Sequence, residues 1–213
     1  VEQREPYRER VLPRSEFVSI PSVSYGVYTP RYKTRRNVGT YDLAEDLRTG
    51  PTFDASFGVS LKALGSDNNF WRGSLSGGWV FPWCRDGSVS VSGGIATRHQ
   101  DGEFIDNAAS GTLSIVTPIY RYGRIVSETS IGTQWHNTQN GFYTIGSDNG
   151  LRGFRINEFA GQRLASNQLE FRSLPKPIWV FRVGGVLFYD VGSAADTFGE
   201  MTLHHDVGLG LRS

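Results

Sequence analysis

The chain is poor in the residues that staple or metallate a fold. A single cysteine, Cys84, in 213 residues excludes an internal disulfide framework and a cysteine metal cluster. The four histidines, His99, His136, His204 and His205, are not spaced like a zinc site. Neither sign of charge dominates: 22 Lys and Arg stand against 21 Asp and Glu. There is therefore no polyelectrolyte signature, and nucleic acid is not an expected partner. No apolar run reaches the roughly eighteen residues that mark a transmembrane helix. The start, VEQREPYRERVLPRSEF, is charged and lacks the apolar stretch of a signal peptide. The chain is expected to begin after an export signal or inside a longer protein. No G-x-S-x-G and no nucleotide motif is present. No enzyme, cofactor or metal is expected.

What is abundant points one way. Twenty-six glycines and 13% aromatics accompany a mean hydropathy of −0.34. That mixture suits an all-β chain with many turns. Period-2 alternation recurs. In FDASFGVSLKA the odd residues Phe53, Ala55, Phe57, Val59, Leu61 and Ala63 are apolar, opposite Asp54, Ser56, Gly58, Ser60 and Lys62. The same parity runs through WRGSLSGGWVFPW, SVSVSGGIA, WVFRVGGVLFYDVG and LHHDVGLGLR. Ten strands are read, over 17–28, 32–42, 52–64, 69–83, 87–98, 109–121, 124–137, 162–174, 178–192 and 203–213. Many are near the ten residues of a tilted membrane-spanning strand, against five or six for globular strands.

The connections carry a second signal. GSDNN, RHQDGEFIDNA, 138–161 and 193–202 are read as longer loops, alternating with short turns at CRD, YGR and PKP. EDLRTG, 45–50, is read as a turn with solvated carboxylates. Outer-membrane barrels sort tight turns and long loops to opposite ends. Trp79, Phe81, Trp83, Trp179 and Phe181 fall beside the short turns, where an aromatic girdle would lie. These patterns predict an antiparallel transmembrane β-barrel, with odd residues in lipid and even residues facing a polar lumen. A soluble β-sandwich or β-solenoid also alternates, but it would show Lys, Glu and Thr to water. Here the polar face is mostly Ser and Gly.

Within the longest loop, 138–161, Leu151, Arg152, Gly153 and Phe154 form a compact block. Such a loop either folds into the lumen or stands as an exposed tip. In the lumen, Arg152 would need a carboxylate, because an unpaired desolvated charge is costly. Glu170 and Asp190 lie on the lumen face of the next two strands. His204 and Asp206 share that face and are read as lumen polarity. Asp67 and Asp148 lack the spacing of a dedicated calcium site.

LRGF after a strand, NQLEFRSLP on the next and FYDVG on the one after resemble the outer-membrane assembly and translocation barrel superfamily (bacterial surface antigen family). Its members include BamA-type insertases and two-partner-secretion transporters. The resemblance implies a sixteen-strand barrel, of which this chain would supply about ten strands, as an incomplete portion of one domain. It implies that Arg152 packs inside the lumen against the strand carrying Phe188, Asp190 and Gly192, with Glu170 sharing it. It further implies an outer-membrane location in a Gram-negative bacterium or derived organelle. The implied function is insertion, assembly or translocation of polypeptides. The implied partners are the lipid bilayer, client outer-membrane or secreted polypeptides, accessory lipoproteins and periplasmic POTRA repeats. HHDVGLGLRS ends without a terminal aromatic, which agrees with a partial barrel. The alternatives are a passive outer-membrane pore and the membrane-anchor barrel of a fused exported enzyme.

Overall fold

Alternating side chains commit a chain to strands, and every strand must find a neighbour for its backbone groups. In the computed structural model, which describes residues 15–40 and 43–212, eleven strands join one antiparallel sheet. No α-helix occurs among the described residues. The elements are β1 (Ser22–Tyr28), β2 (Arg31–Arg36), β3 (Ala44–Ser60), β4 (Phe70–Trp83), β5 (Gly87–Gln100), β6 (Glu103–Val116) and β7 (Gly123–Trp135). They continue as β8 (Tyr143–Ile145), β9 (Phe159–Gly161), β10 (Arg163–Ser173), β11 (Lys176–Ile178), β12 (Phe181–Ala195) and β13 (His204–Arg212). Strands β8 and β9 form a separate small hairpin inside the loop between β7 and β10. In the main sheet β1 and β2 lie at one edge and β13 at the other. No ladder joins the two edges among the described residues, so the sheet is not closed.

The two faces of this sheet are opposite in chemistry. Odd-numbered apolar residues stand exposed on one face, for example Ile95 at 57% and Ile131 at 50%. Polar residues lie on the other and are buried, including Ser88, Arg124 at 2% and Asp190 at 0%. The buried apolar residues among those described are Val38, Phe70, Val116, Ile145, Leu151 and Val186. A fold with so small an apolar interior and so large an exposed apolar face has the inverse of the usual soluble partition.

Several sequence expectations change. The predicted strands 17–28 and 32–42 are one strand interrupted at Pro30, so nine long strands run through the sheet rather than ten. Tyr28 pairs with Thr52 and Arg31 with Thr49, so the register is unbroken across the gap. Tyr41 and Asp42, at the end of the predicted strand, and Ser213, at the end of the last, lie outside the described residues, as does most of the charged start. The EDLRTG segment is not a turn but the first part of β3, which pairs with β2 alone before joining β4 at Gly50. Gly50 has φ +95°, where a side chain would be strained.

RHQDGEFIDNA is not a long loop either. Strands β5 and β6 continue through it to a tight turn at Asp101 and Gly102. A β-bulge explains the misreading. Ala96 faces Ala108 but Arg98 faces Ile105, so one extra residue sits in β6, and Asp106 takes φ 50°. Parity therefore flips, and Phe104 is exposed on the apolar face despite its even number. The remaining connections are 61–69, 84–86, 117–122, 136–162 and 196–203, so long and short do not strictly alternate. The PKP segment becomes β11, paired with the start of β12, and the chain turns at Trp179 and Val180.

Gly161 of β9 anchors the inner hairpin against β12. A Cβ there would lie 2.2 Å from the Ala195 carbonyl carbon. Gly161→Ala is expected to destabilise by about 1–3 kcal/mol through overpacking. Gly199→Ala, which meets nothing within 4 Å, should stay within about 0.5 kcal/mol. Denaturant unfolding of the two variants checks the contrast.

Candidate functional site

The loop from 136 to 162 is ordered from within before it meets the sheet. Asn149 accepts from the Gly146 N–H at 2.7 Å and donates to the Thr144 carbonyl at 2.8 Å. The Leu151 N–H donates to the Gly146 carbonyl at 2.9 Å and the Phe154 N–H to Leu151 at 3.1 Å. These bonds close the tip into a compact turn. Ile145 and Leu151 are fully buried beneath it. Gly192 on β12 leaves room for Ile145, since a Cβ there would lie 2.6 Å from Ile145 Cδ1.

That turn delivers Arg152 onto the polar face. Its Nε donates to Asp190 Oδ2 at 2.7 Å and its Nη2 to Asp190 Oδ1 at 2.6 Å, a bidentate pair. Its Nη1 donates to Glu170 Oε1 at 2.6 Å. The guanidinium carbon lies 3.8 Å from the centre of the Phe188 ring, a cation–π contact. The bonds to Asp190, joined by those to Glu170, hold the guanidinium pKa above its ordinary value against burial. Arg152 is therefore a fixed cation.

All eight residues singled out in the sequence meet here or support the meeting. Leu151 anchors the turn. Gly153 approaches β13 closely enough for its N–H to donate to Asp206 Oδ2 at 2.9 Å. Phe154 packs edge-on to Phe159 at 5.3 Å and to His204 at 5.7 Å. Glu170, Phe188 and Asp190 surround the guanidinium, and Gly192 leaves the space that Ile145 fills beneath the turn. Sequence reasoning did not reach the roles of His204 and Asp206. His204 stacks on Phe159 with centroids 3.8 Å apart, and Asp206 receives Gly153. Their parity placed them on the inner face, but nothing in the sequence named their partners. Gly208 was also missed; a Cβ there would lie 2.3 Å from the Phe188 ring. No group of three or more metal-ligating side chains occurs among the described residues.

The chain of charges continues. Glu170 Oε2 accepts from Arg172 Nε at 2.6 Å, and Arg172 Nη1 donates to the Val38 carbonyl at 2.7 Å. A second, half-buried cluster lies at the other end of the inner face. Arg98 donates to both oxygens of Glu16, at 2.7 and 2.8 Å, and lies 3.6 Å over the Phe70 ring. The segment before β1 is thereby tied to the 61–69 loop, where the Ser19 N–H also donates to Ser66 Oγ at 2.8 Å.

Comparison with protein-family models, curated proteins and solved structures finds no match.

Two outcomes test this geometry. Asp190→Asn removes the buried charge opposite Arg152, which keeps Glu170. A loss of about 3 kcal/mol is expected, the low end for a broken buried pair, read by denaturant unfolding. The bond from Arg98 holds the Glu16 carboxyl below its ordinary value of 4.5, over the opposing effect of burial. A carboxyl depressed in the folded state contributes stability above its unfolded pKa and loses it as pH falls through the folded one. Protection of the Ser19 amide from hydrogen exchange should therefore drop as pH falls below 4.5, and Glu16→Gln should flatten that dependence.

Proposed function

We propose that this chain is part of an outer-membrane β-barrel of the assembly and translocation superfamily, and that it inserts or translocates polypeptides. The observation that carries the reading is the Arg152 clamp. A loop tip of sequence LRGF is held on the polar face by Asp190, Glu170 and Phe188, in the arrangement expected from the resemblance.

The surface chemistry supports a membrane setting. Exposed apolar side chains suit hydrocarbon, and the buried polar face suits an aqueous lumen. Aromatic residues gather at two levels. Trp71 stacks with His99 at 5.2 Å and meets Phe104 at 5.7 Å near one end. Trp79 and Phe81 stack at 5.0 Å near the other. Trp71 and Phe81 are ten residues apart on β4. That is roughly 33 Å along a strand, or roughly 25 Å along the normal at a tilt of about 40°. The second figure matches the height of an outer-membrane apolar band.

The open edges matter to function. In hydrocarbon each unpaired backbone group costs several kcal/mol. The edge strands β1 and β13 therefore require further strands, from the same protein or from a client. A transient seam that accepts client strands needs no nucleotide. In this reading Arg152 holds the loop in its working position inside the lumen.

Arg152→Ala should impair assembly or secretion of outer-membrane clients in cells by about tenfold or more, the loss expected when a charged hydrogen bond is removed. The variant barrel should still reach the membrane and fold. Normal client handling would contradict the role. Steady conductance independent of Arg152 would favour a passive pore.

A further inference from the structure

The lower part of the β2–β3 hairpin does not stay in the sheet wall. It leaves β4 at Gly50, where φ is +95°, and its contacts place it across the inner face at the end where β4 turns into β5. Its contacts reach strands far across the sheet. Lys33 Nζ donates to the Cys84 carbonyl at 2.9 Å, and Arg35 Nη1 donates to Ser88 Oγ on β5 at 3.1 Å. Arg124 on β7 donates to the Arg36 carbonyl at 3.3 Å. Arg172 on β10 donates to the Val38 carbonyl at 2.7 Å. Arg212 on β13 donates to the Val38 carbonyl at 3.3 Å and to the Gly39 carbonyl at 2.6 Å. Val38 is buried by these contacts.

The hairpin end is braced from within. The Glu45 carboxylate accepts from the N–H groups of Val38, Gly39 and Thr40, at 3.3, 2.9 and 2.7 Å to Oε1. This lines up the backbone so that its carbonyls face the guanidinium groups. The wall thus presents Arg124, paired with Asp86, Arg172, paired with Glu170, and Arg212 from three separate strands, and hairpin carbonyl oxygens accept a further N–H from each at a position an anion would take.

We propose that the segments Arg31–Thr40 and Ala44–Thr49 form a hinged plug that closes this mouth of the lumen, and that the guanidinium groups beneath it form an anion-selective constriction. The proposal rests on the barrel reading. When the hairpin swings out at Pro30 and Gly50, Arg172 and Arg212 exchange carbonyl partners for small anions or for the carboxylates of a passing polypeptide. A ring of arginines favours anions over cations. Arg172 also donates to Glu170, the partner of Arg152, so the plug and the long loop meet on one strand.

The test is single-channel recording of the intact protein in planar bilayers under a potassium chloride gradient. The native protein should remain closed, with brief openings. A variant with residues 32–48 replaced by a short glycine linker should conduct steadily and reverse at a potential that marks chloride preference. Adding Arg172→Gln and Arg212→Gln to it should abolish that preference. Glu45→Ala, which keeps the hairpin, should raise the fraction of time open by about tenfold, the effect of losing a charged hydrogen-bond set. Equal conductance with and without the hairpin, or no effect of Glu45→Ala, overturns the plug. Cation preference in the hairpin-less pore overturns the constriction. Failure of the native protein to insert into bilayers overturns the barrel reading and the plug with it.

Discussion

The constraint on which everything else rests is the two-residue period of the strand. A pleated strand sends successive side chains to opposite faces, so a sequence that alternates apolar with small or charged residues builds a sheet with two incompatible surfaces. Here the apolar surface faces outward and carries Leu75, Ile95, Leu113, Ile131 and Leu187. The inner surface gathers Arg98, Arg124, Glu170, Arg172 and Asp190. Charges at this depth persist only because each has close partners: carboxylates for Arg98, Arg124 and Arg152, a carboxylate and a backbone carbonyl for Arg172, and backbone carbonyls for Arg212. The interior is held together by ion pairs and carbonyl contacts where a soluble domain would use a packed apolar core.

Two chain segments fill that interior from opposite ends. The long loop enters beside β12 and is fastened by Arg152. The β2–β3 hairpin enters beside β5 and β7 and is fastened by arginines of the wall. They converge on β10, where Glu170 faces the first and Arg172 the second. Substitutions at β10 should therefore be felt at both ends, whereas those on the outward residues of the same strand, such as Leu169, should not.

Much of this was legible in the residues. Parity alone separated Phe57, Leu187 and Leu209 from Asp190 and Asp206 by face. The clamp was implied by the resemblance that the block LRGF and the alternation Phe188, Asp190, Gly192 carry; the residues alone left the loop either folded in or exposed. What parity could not give was continuity across irregularities. Pro30 breaks the ladder's donors without breaking its register, so one strand read as two. The extra residue at Asp106 shifts the alternation of β6, so a strand end read as loop. EDLRTG carries the charges of a turn because it pairs with β2 alone and lies outside the β3–β4 ladder. Its partners, Arg35 and the 38–40 backbone, lie across from it in its own hairpin. The contacts of Arg172 and Arg212 with Val38 span 134 and 174 residues of chain, beyond the reach of any local pattern.

The central claim is that hydrocarbon solvates the outward face. The five tryptophans, Trp71, Trp79, Trp83, Trp135 and Trp179, are native reporters of it. The direct measurement is tryptophan fluorescence of the protein folded into vesicles whose lipids carry bromine at defined acyl positions. The account predicts strong quenching, greatest for bromines near the headgroups and weaker at the bilayer centre, because the rings sit at two interfacial levels. A protein that stays in solution without detergent, with tryptophan emission indifferent to brominated lipid, would contradict it.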